Sequence, residues 1–295
     1  MSRHACILGE PTGWHAARLA TLLERRGFRP AIIRWRELAA RITAEGDWFR
    51  PPEFAEADVV VVRGMPGTSP PEARLEEVIF RMDVLARLAA DGTPVINPPR
   101  SLEIAIDKYL SLSLLAAAGL AVPQTIVVQD AAAAIEAWER LGGDCVIKPL
   151  FGSRGRGIVR GTSPEVVAAA VGAGGGVSYL QEFVGHEGWD VRALVVGEQV
   201  FAMRRDAPAG EWLTNLAQGG RATAIELPAG WETLARQAAG AVGASLAGVD
   251  ILPVKGGGAV VLEVNAVPGW QGMETVRGPG VAGAIADHVA SLARM

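Results

Sequence analysis

Two carboxylates and an amide in the last quarter of the chain carry the strongest chemical signal in its 295 residues. Asp250 lies in Gly-Val-Asp-Ile-Leu, and Glu263 and Asn265 lie in Val-Leu-Glu-Val-Asn. Taking Lys255-Gly-Gly-Gly258 as a four-residue hairpin loop sets Val254 against Ala259 and, counting back, Asp250 against Glu263. The two-residue strand period puts Asn265 on the same face as Glu263. Facing carboxylates repel and weaken a sheet, so the pattern asks for a cation. Oxygen donors on adjacent strands suit Mg²⁺, completed by water and substrate phosphates. A solvated polar face is the competing reading, but the flanking residues are almost wholly apolar.

A second group surrounds Lys148-Pro-Leu-Phe-Gly152-Ser153-Arg-Gly155-Arg-Gly157, with three glycines in six residues. Backbone N–H groups at such glycines can wrap an anion, because no Cβ blocks the close conformations. Ser153 adds a hydroxyl and Lys148 a point charge at a strand end. The order is wrong for a Walker A loop and for a dinucleotide fingerprint. A flexible hairpin tip reads equally well from this segment alone. Tyr179-Leu-Gln181-Glu182-Phe183-Val184 ends a strand whose backbone can pair with an adenine edge, with Phe183 and Val184 as an apolar wall; an exposed Gln-Glu at a strand end is also ordinary. Asp190-Val-Arg192 and Ala202-Met-Arg204-Arg205 sit on two strands joined at Val196-Gly-Glu198. From there guanidinium groups can reach a transferring phosphoryl group and the carboxylate it activates, unless they are plain surface arginines. Asn215 and Gly219-Gly220 follow in a segment of little pattern, which suggests a loop over the site.

The elements that must position these residues follow from periodicity. Strands are expected at Ala5–Leu8, Arg29–Ile33, Asp58–Val62 and Thr93–Ile96, alternating with helices at Trp14–Arg26 and Pro70–Ala90, the latter with Pro71 near its first turn. That alternation predicts a small, mainly parallel sheet. Beyond Pro98-Pro99, one helix spans Ser101–Ala118 and stops at Gly119. Strand Gln124–Val128, helix Ala131–Leu141, and strands Cys145–Leu150 and Gly157–Arg160 come next. Five strands (Ser178–Phe183, Asp190–Val196, Gln199–Arg205, Gly248–Val254 and Ala259–Asn265) and helices Pro228–Gly243 and Val281–Ala293 complete the chain. Gly172–Gly176 is a connection, and Trp35–Trp48 carries no interpretable motif. The fold class is α/β with α+β character in the C-terminal part, divided as an N-terminal β/α domain (1–97), a central lid (98–180) and a metal-bearing C-terminal unit (181–295).

Composition narrows the function classes. Hydrophobic residues make up 49% and charged residues 20%, a globular balance, and the net charge of −4 offers no basic field for nucleic acid or anionic lipid. No apolar run is long enough to span a membrane, and the first residues do not form a signal peptide. Cys6 and Cys145 sit in apolar runs and read as reduced core residues, so the cytoplasm is the expected location. The four histidines, His4, His15, His186 and His288, fit no zinc spacing.

Lys108 in Ile-Asp-Lys-Tyr, Lys148-Pro with its glycine loop, Gln181-Glu182-Phe-Val, Asp190-x-Arg192, Asn215, Asp250 and Glu263-x-Asn265 occur in the order of an ATP-grasp enzyme. Within that superfamily the chain resembles the RimK-type α-L-glutamate ligases from about Pro94 onward, and the earlier residues match in their β/α rhythm. The resemblance implies an ATP-grasp fold with a pre-ATP-grasp domain, ATP with Mg²⁺ or Mn²⁺, and a homodimer or homotetramer. It implies that Lys108, Lys148 and the loop Gly152, Ser153, Gly155 and Gly157 hold ATP phosphates, and that Glu182 and the Phe183–Val184 backbone meet adenine, with Gln181 and Asp190 also on the nucleotide side. Asp250, Glu263 and Asn265 would ligate metal, and Arg192, Arg204 and Asn215 would stand at the reacting phosphate and carboxylate. The reaction implied activates a carboxylate as an acyl phosphate and transfers it to L-glutamate's amine. Ligases of ribosomal tails usually show Arg-Ser-Asn-Leu-His-Arg-Gly-Gly where this chain has Leu213-Thr-Asn-Leu-Ala-Gln218-Gly-Gly. The ending Asn265-Ala-Val-Pro-Gly-Trp270-Gln-Gly instead resembles ligases of tetrahydromethanopterin-type cofactors, which favours a small pterin or furan acceptor. Trp270 could stack on such a ring or fill the core. A protein or peptide C-terminus as acceptor, a small-molecule kinase, and a non-catalytic ATP-binding subunit are the alternatives.

Overall fold

The computed structural model describes residues 3–44, 46–67, 74–152, 155–173 and 176–294. Ser153, Pro70, Pro71, Gly174 and Gly175, named above, lie outside the described residues. The first layer is built from β1 (Arg3–Leu8), α1 (Trp14–Glu24), β2 (Phe28–Ile33), a hairpin of β3 (Ala39–Thr43) and β4 (Gly46–Arg50), α2 (Pro52–Ala55), β5 (Val59–Val62), α3 (Leu75–Ala90) and β6 (Val95–Ile96). Its parallel sheet runs β2-β1-β5-β6. The four-valine strand β5 is buried on both faces, as a strand covered on two sides must be. Val60 and Val62 enter one core cluster, and Val59 and Val61 enter another.

Next come α4 (Pro99–Ile106) and α5 (Lys108–Ala117), then β7 (Thr125–Val128), α6 (Ala131–Arg140), β8 (Cys145–Lys148), β9 (Val159–Gly161), α7 (Pro164–Ala173) and β10 (Ser178–Glu182). Their antiparallel sheet has the order β7-β10-β8-β9 and its own small core against α6 and α7. The single helix expected over Ser101–Ala118 is two. Asp107 is extended (φ −90°, ψ 106°), and its carboxylate accepts the amides of Tyr109 and Leu110 at 2.9 and 3.1 Å. That cap satisfies orphan donors and starts a new helix at Lys108.

The last layer holds β11 (Trp189–Val196), β12 (Gln199–Asp206), β13 (Arg221–Ala224), α8 (Trp231–Ala241), β14 (Leu246–Pro253), β15 (Ala259–Asn265) and α9 (Gln271–Arg277), with sheet order β13-β12-β11-β14-β15. The final helix α10 (Gly280–Leu292) returns to pack on α1 and β5. One face of this sheet lies under α8. On the other, Leu194, Val196, Met203 and Leu246 pack with Ala5, Ile7, Val59 and Val61 of the first layer. Asn97 crosses between the layers: its Nδ2 donates to Leu246 O and Ala266 O, both at 2.6 Å, and its Oδ1 accepts from the Ser245 and Leu246 amides.

Sequence reasoning did not foresee β3, β4, α2, α7, β13 or α9. Both cysteines are free and buried. Among the described residues, no helix is long and apolar enough to cross a membrane.

Candidate active site

Hairpin parity assembles the site. Asp250 does pair with Glu263, as expected, but by a different route. The loop between β14 and β15 has five residues, Val254–Gly258, so Pro253 pairs with Ala259 and Ile251 with Val261. That register alone would turn Glu263 to the other face. A β-bulge between Asp250 and Ile251 shifts it by one and restores the Asp250–Glu263 and Gly248–Asn265 pairs. Gly256, Gly257 and Gly258 all have positive φ (99°, 120° and 79°), which a side chain rarely tolerates and which this longer turn needs.

On the same face β11 and β12 supply cations. Arg192 is opposite Asp250, and Arg205 is opposite Asp190. The Arg192 Nη2 donates to Asp250 Oδ2 at 3.1 Å, and its Nε lies 2.5 Å from Oδ1, close but misaligned, so neither Nε nor Oδ1 has a well-formed hydrogen bond. Gly248 makes this reach possible, since a Cβ there would stand 2.4 Å from Arg192 Nη1. Arg205 donates to both oxygens of Asp190 at 2.7 and 2.5 Å and approaches Asp250 Oδ1 at 3.0 Å. Thr214 completes the Asp190 shell at 2.7 Å. Burial works to raise the Asp250 carboxyl, but Arg192 and Arg205 beside it hold it below the ordinary value. Burial would likewise lower Arg205, and Asp250 and Asp190 hold it above its ordinary value instead.

Arg204 is not brought to this face. It pairs opposite Val191, under the α8 side, where it holds Asp206 at 2.8 Å and stacks on Trp189 at 4.3 Å. Strand parity explains the correction: of two adjacent arginines only one can face Asp250, and it is Arg205. The buried Asp190 carboxylate is committed to Arg205 and Thr214.

Helix α5 and strand β8 bring two lysines near this array. Lys108 donates to Leu150 O and Gly152 O at 3.3 and 3.0 Å, tying α5 to the base of the glycine loop. Lys148 donates to Gln181 Oε1 at 2.6 Å, and the Gln181 amide is held in turn by Thr125 and Tyr179. Burial pushes Lys148 down to about 8; Glu263 opposes the shift, Lys108 adds to it and Asp250 opposes it. Lys108 is lowered by burial against the pull of Glu263 and Asp107. Gln181 is buried and orients Lys148 rather than meeting a base.

The described part of the glycine loop meets the β12–β13 connection of the last layer. Gly155 (φ +72°) lies so near Asn215 that a Cβ would stand 2.8 Å from its Oδ1, and Gly157 (φ +71°) abuts Pro149. Glu182 accepts the Gln124 amide at 2.8 Å, and the Phe183 amide donates to Asp144 O at 3.2 Å, so both anchor β10. Beyond them Phe183 forms an aromatic wall with Trp212 and His186, with the Arg160 guanidinium 3.4 Å from its centroid. Val184 follows in the chain and is half-buried.

The donor set fits a divalent ion bound together with phosphate. No three His, Cys, Asp or Glu side chains among the described residues form a cluster that could hold a metal by themselves. Asp250 and Glu263 supply two carboxylates, and Asn265 Oδ1, although it accepts the Val267 amide at 2.9 Å, keeps a second lone pair. The poorly satisfied Asp250 Oδ1 marks where a cation would improve on the arginines. Trp270 is 0% exposed, edge-on to His15, and fills the core, so it offers no stacking surface to an acceptor.

Comparison with known proteins bears on the family and the fold. Residues 105–289 match the RimK-like ATP-grasp domain. The chain is 32% identical to the tetrahydromethanopterin:α-L-glutamate ligase of Methanosarcina acetivorans, across 92% of this chain and 94% of that one. It is 38% identical to a probable α-L-glutamate ligase of Mannheimia succiniciproducens, across 68% of each. A solved structure of the ATP-grasp ligase PsnB, complexed with a phosphomimetic variant of a minimal precursor, Mg and ADP, superposes with a TM-score of 0.78 at 23% identity, covering 99% of both chains.

Proposed function

Because the chain belongs to the RimK-like ATP-grasp family, a family of ATP-binding ligases, we propose that it joins the amine of L-glutamate to a carboxylate of a small pterin- or furan-type acceptor. The observation that carries the reading is the convergence of four cations, Lys108, Lys148, Arg192 and Arg205, on the carboxylates of Asp250 and Glu263. Such a set neutralises a polyphosphate and a reacting carboxylate at once.

In this reading an acceptor carboxylate oxygen attacks the γ-phosphorus of ATP, the bond to the β-bridging oxygen breaks, and ADP leaves. The glutamate amine then attacks the acyl carbon, the C–O bond to phosphate breaks, and inorganic phosphate leaves with the amide formed. Lys108 and Lys148 hold phosphate oxygens on the lid side, and Arg192 and Arg205 hold the oxygens that gain charge. Asp190 and Thr214 fix Arg205 so that it need not reorganise. Asp250, Glu263 and Asn265 would hold Mg²⁺, which supplies charge neutralisation between the transferring phosphates. The Gly155–Asn215 contact closes the loop over the reaction and keeps water from the acyl phosphate. Support for a small acceptor comes from similarity to the tetrahydromethanopterin ligase that runs through the first layer as well as the catalytic layers.

The test is ADP release by the purified protein with Mg²⁺, ATP and L-glutamate across pterin, furan and peptide acceptors, with mass spectrometry of the products. A glutamylated pterin or furan with free phosphate is expected. A phosphorylated acceptor without amide, or turnover indifferent to glutamate, would overturn the reading.

A further inference from the structure

An arginine outside the charged array has no partner among the described residues for most of its charge. The first-layer order β2-β1-β5-β6 reverses between β1 and β5, and crevices at the carboxyl ends of such strands are where open parallel sheets take ligands. Gly9 follows β1 there and Arg63 follows β5, with the Arg63 amide donating to Leu8 O at 2.8 Å. A Cβ on Gly9 would lie 3.3 Å from that of Arg63, so the glycine lets the arginine rise between the strand ends.

The guanidinium of Arg63 points at the segment just after β15. Its Nη2 donates to Pro268 O at 2.8 Å, and its plane lies 4.2 Å from the centroid of the Trp270 ring. Its Nε and Nη1 are buried with no acceptor among the described residues. Burial with no compensating carboxylate pulls it down to about 9. The loop that carries it is pinned from both sides: Trp35 Nε1 donates to Gly64 O at 2.9 Å, and the buried Arg81 donates to Pro66 O. The fold therefore holds a desolvated cation in place without answering its charge, which costs stability and is the kind of local conflict found at binding sites.

Position supplies the ligand. A Cβ on Gly248 would touch Pro268 Cβ at 3.2 Å on one side and Arg192 on the other. Arg63, Pro268, Gly248 and Arg192 are thus successive neighbours, and Arg63 stands behind the reacting centre on the first-layer side. A ligand that placed an anion on Arg63 would lie toward Arg192 along this path. We propose that Arg63 anchors a carboxylate of the amine substrate, L-glutamate, from the first layer. This rests on the ligase reading above. It also gives the first layer a direct part in choosing the amine.

Calorimetric titration of L-glutamate, L-glutamine and glutamate α-amide into the protein holding Mg²⁺ and AMPPNP tests this, with wild type, Arg63→Met and Arg63→Lys. Arg63→Met is expected to weaken glutamate binding about 10- to 100-fold, with Arg63→Lys between the two. The amide that lacks the anchored carboxylate should bind wild type and Arg63→Met alike. The empty Arg63→Met protein should melt no lower than wild type, since an unanswered charge has gone. Unchanged glutamate affinity in Arg63→Met, or a lower melting temperature of that empty variant, would overturn the anchor and leave the ligase reading standing. Absence of glutamate binding to wild type would overturn the glutamate assignment itself, and the anchor with it.

Discussion

At the scale of single residues, adjacent arginines separate position from composition. Arg205 is buried between Asp190 and Asp250, whereas the Arg204 side chain is 38% exposed and holds Asp206. Arg205→Ala should cost about 3–5 kcal/mol, because it strands two buried carboxylates, and should abolish turnover. Arg204→Ala should cost no more than about 1 kcal/mol and leave turnover within a few-fold; chemical denaturation and ADP release measure both. Lys148 gives a pH signature. Its folded value of about 8 lies below that of an unfolded lysine, so above pH 8 the unfolded chain holds more protons and the empty protein gains stability as pH rises toward about 10.4. ATP affinity should fall across the same window as the ammonium is lost, and Lys148→Met should flatten both trends. The choice of Arg205 was legible in principle. Gly197-Glu198 as a two-residue turn sets Val196 against Gln199, which by counting puts Asp190 opposite Arg205. Arg63 and Asn97 were not legible, since what makes each unusual is a set of groups more than a hundred residues away.

At the scale of elements, the sheet that bears the site is built on exceptions to regular pairing. The Asp250–Glu263 pair was readable from the two-residue period, yet the turn is one residue longer than the glycine count suggested and the bulge absorbs the difference. Such compensation leaves no trace in apolar patterning, because both registers bury valines. The break at Asp107 was hidden for a related reason: apolar residues continue on both sides, and only the capping geometry shows two helices. Gly248 makes the clearest element-level prediction. In Gly248→Ala the new Cβ meets the mobile end of Arg192 and the fixed Pro268. The sheet should survive with a loss of about 1–3 kcal/mol, while Arg192 is displaced from Asp250 and kcat falls at least about 100-fold, as it does when a charge-stabilising donor is removed. A Gly248→Ala enzyme with normal kcat would mean that Arg192 does not act from the position seen here.

At the scale of the whole molecule, the first and last layers are joined at several places. Asn97 makes four hydrogen bonds, to Ser245, Leu246 and Ala266, the last beside Asn265. Asn97→Ala strands those backbone groups and should lower stability by about 3–5 kcal/mol, read from urea unfolding. Helix α10 packs on α1 and β5, Arg26 pairs with Asp287 at 2.7 Å, Arg18 pairs with Glu274 at 2.7 Å, and the Arg294 amide donates to Asp58 O. The central sheet keeps a core of its own and meets the rest through α5, the Lys148 region and the Gly155–Asn215 contact. Mechanically, we expect a chassis with one jaw that moves rather than three bodies in a row. Spin labels on the first and last layers should keep one distance distribution from the empty protein through each stage of the reaction. A label on α6 should change its distance to both. In the proposed reaction, residues on the chassis would then hold one fixed ruler, from Arg63 to Asp250, against which the jaw delivers phosphate.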